Sequence, residues 1–151
     1  MSDTASDRIS RLELSERRLE GVLKTLPALV WEAWDPNQTR GERASFVSDY
    51  VETMTGHTAE EWLAQEDFWL SLVPTEDREA TLRDATDIYA AGSGTLKHRW
   101  RTKDGRTLWV ETYIHVVRDA AGALLGVHGV TFNVTPRREA ELHREQLLRQ
   151  A

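Results

Sequence analysis

From Thr107 to Val117 the chain alternates with period two. Leu108, Val110, Thr112, Ile114 and Val116 fall on one side of an extended strand, and Trp109, Glu111, Tyr113, His115 and Val117 on the other. Asp104-Gly105 just before it is a hairpin turn signal, so 95–103 and 106–118 are predicted to pair. The second strand carries large apolar groups on both sides. Something must therefore pack on each face of the sheet to which it belongs.

The other elements follow from the same patterning. Over residues 7–26, Leu12, Leu19 and Leu26 recur at heptad spacing. Ile9 and Leu23 form a second line that Glu16 interrupts, a narrow apolar stripe on a helix that Pro27 ends. Two heptads fit a helix packed on its own domain and a helix paired with a second copy equally well. Residues 28–35, rich in Val and Trp, predict a strand, 36–44 a loop and 45–49 a short strand. Asp49 with Glu52 predicts a cap for a short helix stopped at Gly56, and Thr58 with Glu61 a capping box for the next. Thr75 is placed to cap a longer helix over 76–91, which Gly92 and Gly94 end. After the hairpin, 119–122 turn the chain into a strand over 124–134, and a charged helix runs to Ala151. The order of helix, two strands, several short helices, three strands and helix predicts an α+β domain, with an antiparallel sheet and helices gathered on one side.

Composition narrows the chemistry. The 151 residues are 40% hydrophobic and 29% charged, enough for one domain with a core. A net charge of −6 weighs against nucleic acid or an anionic membrane surface as the partner. The absence of cysteine excludes disulfides, thiolate metal sites and cysteine nucleophiles. The polar N-terminus lacks the apolar stretch of a signal peptide, and no apolar run approaches the roughly 20 residues of a membrane span. The expected location is cytoplasmic.

At Thr55-Gly56-His57-Thr58 before Glu60-Glu61, at Glu76-Asp77-Arg78, at Lys103-Asp104-Gly105 with Trp109, and at Asn133-Val134-Thr135, the chain resembles a PAS domain with a C-terminal PAC motif. The resemblance covers about residues 28–135 and rests on the joint order and spacing of these motifs. It implies a five-stranded antiparallel sheet in the order 2-1-5-4-3 with helices over one face, and a role in sensing or interaction that feeds an output domain. Three departures stand out. Pro74-Thr75 replaces the family's His-Pro, and Lys97-His98-Arg99 replaces Glu-Tyr-Arg, so the helix-to-sheet contacts of that His and Glu are not expected. Asn133 replaces an Asp at the last strand's exit, which keeps a capping acceptor and loses a charge.

Placed on that fold, the inner sheet face carries His98, Trp100, Leu108, Val110, Thr112, Ile114, Val127, Gly129 and Thr131, and the outer face Trp109, Tyr113, His115, His128, Val130 and Phe132. His98, Trp100, Thr112 and Thr131 are the candidate pocket residues. The pocket can be fully packed or can take a small apolar or aromatic ligand. His98 beside a Trp reads as a hydrogen-bonded core residue, although from the sheet it could also ligate a metal or haem. The resemblance counts against known cofactors. Flavin-binding photochemical relatives use a cysteine in the helical half, and their flavin-contacting amides correspond here to Trp100, Val110 and Thr131. Haem-binding relatives take an axial His from the long helix, and 76–91 holds none.

Asp77 with Arg78 and Glu79 at a helix start reads as capping and dipole matching. An open apolar outer face is an association site. The expectation is a homodimer through Leu12, Leu19, Leu23 and Leu26 of the first helix and Trp109, Tyr113, Val130 and Phe132 of the sheet. The division is 1–27 as flanking helix, 28–135 as PAS domain and 136–151 as the start of a signalling helix cut from a longer chain. The output domain would be a histidine kinase or a cyclic-dinucleotide enzyme, and the domain itself no enzyme. A ligand-free interaction module shares the same fold. An enzyme of the ketosteroid-isomerase type would need a buried acid, and no inner strand position supplies one: Glu111 falls outside.

Overall fold

The computed structural model describes residues 4–34 and 44–150. The loop expected at 36–44 lies outside the described residues except for Ala44, as do the last residue of the first predicted strand and the final Ala151.

The first helix, α1 (Ala5–Thr25), begins at a reciprocal cap. The Thr4 hydroxyl accepts from the Asp7 amide at 3.1 Å and the Asp7 carboxylate accepts from the Thr4 amide at 3.5 Å. It ends where Leu26 turns extended before Pro27. No side chain of α1 is buried. Strands β1 (Leu29–Trp34) and β2 (Phe46–Val47) follow, then α2 (Tyr50–Thr55), α3 (Ala59–Leu63) and α4 (Phe68–Ser71). A 3-10 turn at Thr75–Asp77 leads into α5 (Arg78–Ala91). The domain closes with β3 (Ser93–Arg101), β4 (Thr107–Arg118) and β5 (Leu124–Asn133), and the chain leaves through α6 (Thr135–Gln150).

The five strands make one sheet in the order β2-β1-β5-β4-β3, every pair antiparallel. This is the order that the resemblance implied. The hairpin register pairs His98 with Val110 and Trp100 with Leu108, and the central pair sets Thr112 beside Thr131. The alternation read along β4 is the alternation observed. Leu108, Val110, Thr112, Ile114 and Val116 are buried under the helices, and Trp109, Glu111, Tyr113, His115 and Val117 face the other way.

Several local expectations change. α5 starts at Arg78, because Thr75 opens the 3-10 turn instead of capping the helix. Gly92, at φ +97°, ends α5 alone in the left-handed conformation that glycine adopts without strain, and Gly94 already belongs to β3. Thr58 caps α3 by accepting from the Glu61 amide at 3.1 Å, and the return contact of the Glu61 side chain to the Thr58 backbone amide is the weakest of its interactions. The Glu61 carboxylate binds His57 Nδ1 at 2.9 Å and Lys103 Nζ at 3.1 Å. Asp49 makes no side-chain cap bond to α2.

The core sits between helices and sheet in two parts. One gathers Val51, Met54, Trp62, Val73, Trp100 and Val110 under α2–α4, and the other Ala85, Leu96, Ile114, Val116 and Val127 under α5. Trp31 and Trp69 pack against both. No helix among the described residues is long and apolar enough to cross a membrane.

Candidate functional site

A cavity of about 40 Å³ lies where the two parts of the core meet. Trp31, Thr112, Ile114 and Trp100 border it from the sheet, and Trp62, Phe68, Trp69 and Tyr89 from the helices, with Gln65 and Asp67 also on its boundary. The aromatic walls meet edge to face. Trp62 lies 5.4 Å from Trp100 and His98 5.2 Å from Trp100, centroid to centroid, each pair near perpendicular.

The four candidate pocket residues are all buried, on β3, β4 and β5. Trp100 and Thr112 border the cavity. His98 lies behind, its Nε2 3.0 Å from the Thr112 hydroxyl, which is 2.8 Å from the Thr131 hydroxyl. The structure therefore joins His98, Thr112 and Thr131 in one hydrogen-bonded chain across β3, β4 and β5. Burial lowers the His98 pKa to about 4, so the imidazole is neutral at pH 7. Three buried polar atoms have no partner among the described residues: Nε1 of Trp69, Nε1 of Trp100 and Nδ1 of His98.

These residues do not fit a large planar cofactor. The cavity has about a quarter of the roughly 150 Å³ that accepts a benzene ring in an engineered protein core, too little for an isoalloxazine or a porphyrin. No cysteine is present to act on a flavin. No group of three or more His, Cys, Asp or Glu among the described residues is arranged to hold a metal ion.

On the outer face, Tyr113 and Phe132 pack edge to face at 5.8 Å and remain 49% and 36% exposed. Val130 is half-buried. Trp109 has a partner within its own chain. The Arg138 guanidinium lies 3.8 Å over its ring and Arg99 5.6 Å from it. Leu12 and Leu19 of α1 are each 64% exposed, while Leu23 and Leu26 are half-buried.

The exit of the sheet is pinned at Trp109. Its backbone carbonyl accepts from the Val134 amide and its amide donates to the Thr135 hydroxyl, each at 2.8 Å. The Asn133 side chain accepts from the Thr135 amide at 3.0 Å, the capping role expected to survive the loss of charge. Arg137 binds the largely buried Glu111 carboxylate at 2.6 Å.

Asp77 departs from its expected role at a helix start. It makes no cap bond, and its carboxylate accepts from Arg99 Nε at 2.7 Å and Nη2 at 2.9 Å. That pairing holds the Asp77 carboxyl below its ordinary value. Helix and sheet are thus joined by Asp77 and Arg99, although the family's His and Glu are missing. Sequence reasoning missed this pair, and it missed the helical wall of Trp62, Phe68, Trp69 and Tyr89. Their aromatic character was visible, but their side of the fold was not.

Among solved structures the chain is similar to the N-terminal domain of a diguanylate cyclase with PAS/PAC sensor from Marinobacter aquaeolei. Identity is 23% and the TM-score 0.63, over 74% of this chain and 98% of that one. It is also similar to a sensory box histidine kinase/response regulator from Burkholderia thailandensis, at 19% identity and TM-score 0.63, over 87% of this chain and 98% of that one. An RNA-binding light-oxygen-voltage receptor matches at 22% identity and TM-score 0.73, over 90% of this chain and 38% of that one. No curated protein matches the sequence. The family described as "PAS fold" matches residues 44–131, more than half of the chain and the span that holds β2, β3, β4, most of β5 and the helices over them; the chain belongs to the PAS-fold family.

Proposed function

We propose that this chain is a non-catalytic sensory module of a signalling protein. It dimerises through α1 and the outer sheet face and passes a change in its interior to an output domain through α6. The observation that carries this reading is the outer face. Tyr113 and Phe132 form an open aromatic patch on the same surface where Trp109 and Glu111 anchor the root of α6 through Arg138 and Arg137. An apolar surface that is continuous with the base of an exit helix suits a second copy whose own exit helix lies alongside. The exposed Leu12 and Leu19 of α1 supply more of the same surface.

The interior half of the reading rests on His98, Trp100, Thr112 and Thr131 as a pocket. A shift at Thr112 or Thr131 moves the central strands, and β4 carries both Thr112 and Trp109. The relatives named above, a diguanylate cyclase and a histidine kinase, support an output domain of one of those two kinds. The small cavity favours a second reading, a ligand-free interaction module on the same fold. Replacing Trp100 or His98 disturbs output in a ligand sensor, and replacing Tyr113 disturbs it in a pure interaction module.

Light scattering behind size exclusion tests the assembly. A dimer is expected, and Tyr113→Glu with Phe132→Glu is expected to convert it into a folded monomer. A strict monomer at high concentration overturns the reading.

A further inference from the structure

We propose that His115 and His128 form half of a transition-metal site of the zinc class, which the same two residues of a second copy complete across the outer sheet face. The proposal rests on the dimer reading above and names an ion that ties the two copies together.

His115 of β4 and His128 of β5 stand directly opposite each other in the antiparallel ladder. Directly opposed side chains are the nearest neighbours that one face of a sheet offers. The alternation that buries Ile114 and Val127 turns both imidazoles outward. Their ring centroids lie 5.1 Å apart, with the planes at 79°. Two imidazoles whose nitrogens each lie about 2.0–2.1 Å from one tetrahedral zinc have centroids about 5 Å apart. The pair already stands at the spacing of two ligands on one ion, and rotation of the rings aims the nitrogens. Neither ring has a hydrogen-bond partner among the described residues. Their ring contacts are with each other and with Trp34.

The surroundings suit a cation. Glu32 of β1 is paired with His128 on its other side, and no Lys or Arg lies in the row that runs Phe46, Glu32, His128, His115, Ser93 across the sheet. Imidazole selects zinc, copper, nickel or iron over magnesium and calcium, which take oxygen ligands. One chain supplies too few ligands. Structural zinc takes four, and no group of three or more His, Cys, Asp or Glu among the described residues is arranged to hold a metal ion. Tyr113 and Val130 are the next outward positions along the same two strands, so the pair belongs to the surface assigned to the second copy. A two-fold axis that passes by the pair sets it against itself, and four imidazoles then surround one ion.

The test uses the untagged whole chain at about pH 7.5, since zinc takes unprotonated imidazole. Zinc chloride is the probe, and EDTA and magnesium chloride are the controls. Titration calorimetry is expected to give one zinc for two chains and no binding of magnesium. Light scattering is expected to show a dimer that persists to lower protein concentration with zinc than with EDTA. His115→Gln and His128→Gln, both on the outer side of the sheet, are each expected to weaken zinc binding by at least the roughly tenfold lost when a metal ligand's supporting partner is removed. A dimer in EDTA that takes up no zinc overturns the proposal and leaves the dimer reading standing. A monomer in EDTA that zinc converts into a dimer supports the proposal and overturns assembly without metal. A strict monomer under both conditions overturns both. One zinc for each chain, or binding that survives His115→Gln, overturns the shared site.

Discussion

His98 is a neutral imidazole held by burial, and that makes it an acid sensor of stability. Its pKa is lowered from 6.5 to about 4, so the unfolded chain binds the extra proton first as pH falls. Stability is full above about 6.5, declines as pH drops toward about 4, and changes no further below that. The integrated loss is about 3 kcal/mol. Urea melts of the natural chain and of His98→Phe across this window are expected to show the difference between them changing by that amount. A pH-independent difference would refute the buried neutral state.

Two glycines of β5 make a second comparison at this scale. A Cβ at Gly129 would lie 2.6 Å from the Trp31 ring and 2.8 Å from the Tyr113 carbonyl oxygen, and the backbone atom cannot yield. Gly129→Ala is therefore expected to destabilise by about 1–3 kcal/mol. A Cβ at Gly126 meets the ring of the part-exposed Trp34, which can move only by giving up its bond to Glu32 and its stack on His128, so Gly126→Ala is expected to cost less than Gly129→Ala, where backbone stands in the way. Thermal melts of the two variants that came out equal would show that the Trp31 face yields as easily as the surface.

Between elements, one line of contacts runs from the helical layer to the exit helix. Asp77 at the start of α5 holds Arg99 of β3, Arg99 lies by Trp109 of β4, and Arg138 of α6 covers the same ring. Both partners of the ion pair are partly exposed, which keeps its contribution near 1 kcal/mol. Asp77 is held below its ordinary 3.8, so this contribution is complete above that value and fades as pH falls through the lowered one. Positioning matters more here than stability. Trp109→Ala is expected to release the root of α6, seen as faster hydrogen exchange of the Val134 and Arg138 amides, while the β3–β4 hairpin amides remain protected. Arg99→Met is expected to give a smaller change in the same direction. Unchanged exchange in both would show that backbone bonds alone hold the helix.

At the scale of the whole molecule, the sheet has a packed face and an open one. The open face and the unburied stripe of α1 are the surfaces on which the proposed association would rest. If a second copy covers them, the melting midpoint rises with protein concentration, and Tyr113→Glu with Phe132→Glu abolishes that dependence. A midpoint independent of concentration in the natural chain argues for a monomer. The same two-sidedness explains why β4 carries large side chains on both sides of its alternation, with Leu108, Val110 and Ile114 on the core side and Trp109 and Tyr113 on the other.

What the sequence determined by itself was whatever is local or strictly periodic. The alternation through β4 assigned every residue of that strand to a face, because side chains of an extended chain point to opposite sides in turn. Asp104-Gly105 and residues 119–122 marked the hairpin turns, and the ordered motifs marked the family and hence the strand order. The part of the cavity's helical wall made by Trp62, Phe68 and Trp69 was not legible, because helices of four or five residues are too short to display a period that says which side faces inward. Asp77 and Arg99, 22 residues apart, meet only once α5 is folded back over β3. Tertiary structure alone also decided that Trp69 Nε1, Trp100 Nε1 and His98 Nδ1 would be buried without partners among the described residues: burial and partners belong to the packed fold, and no local pattern encodes them.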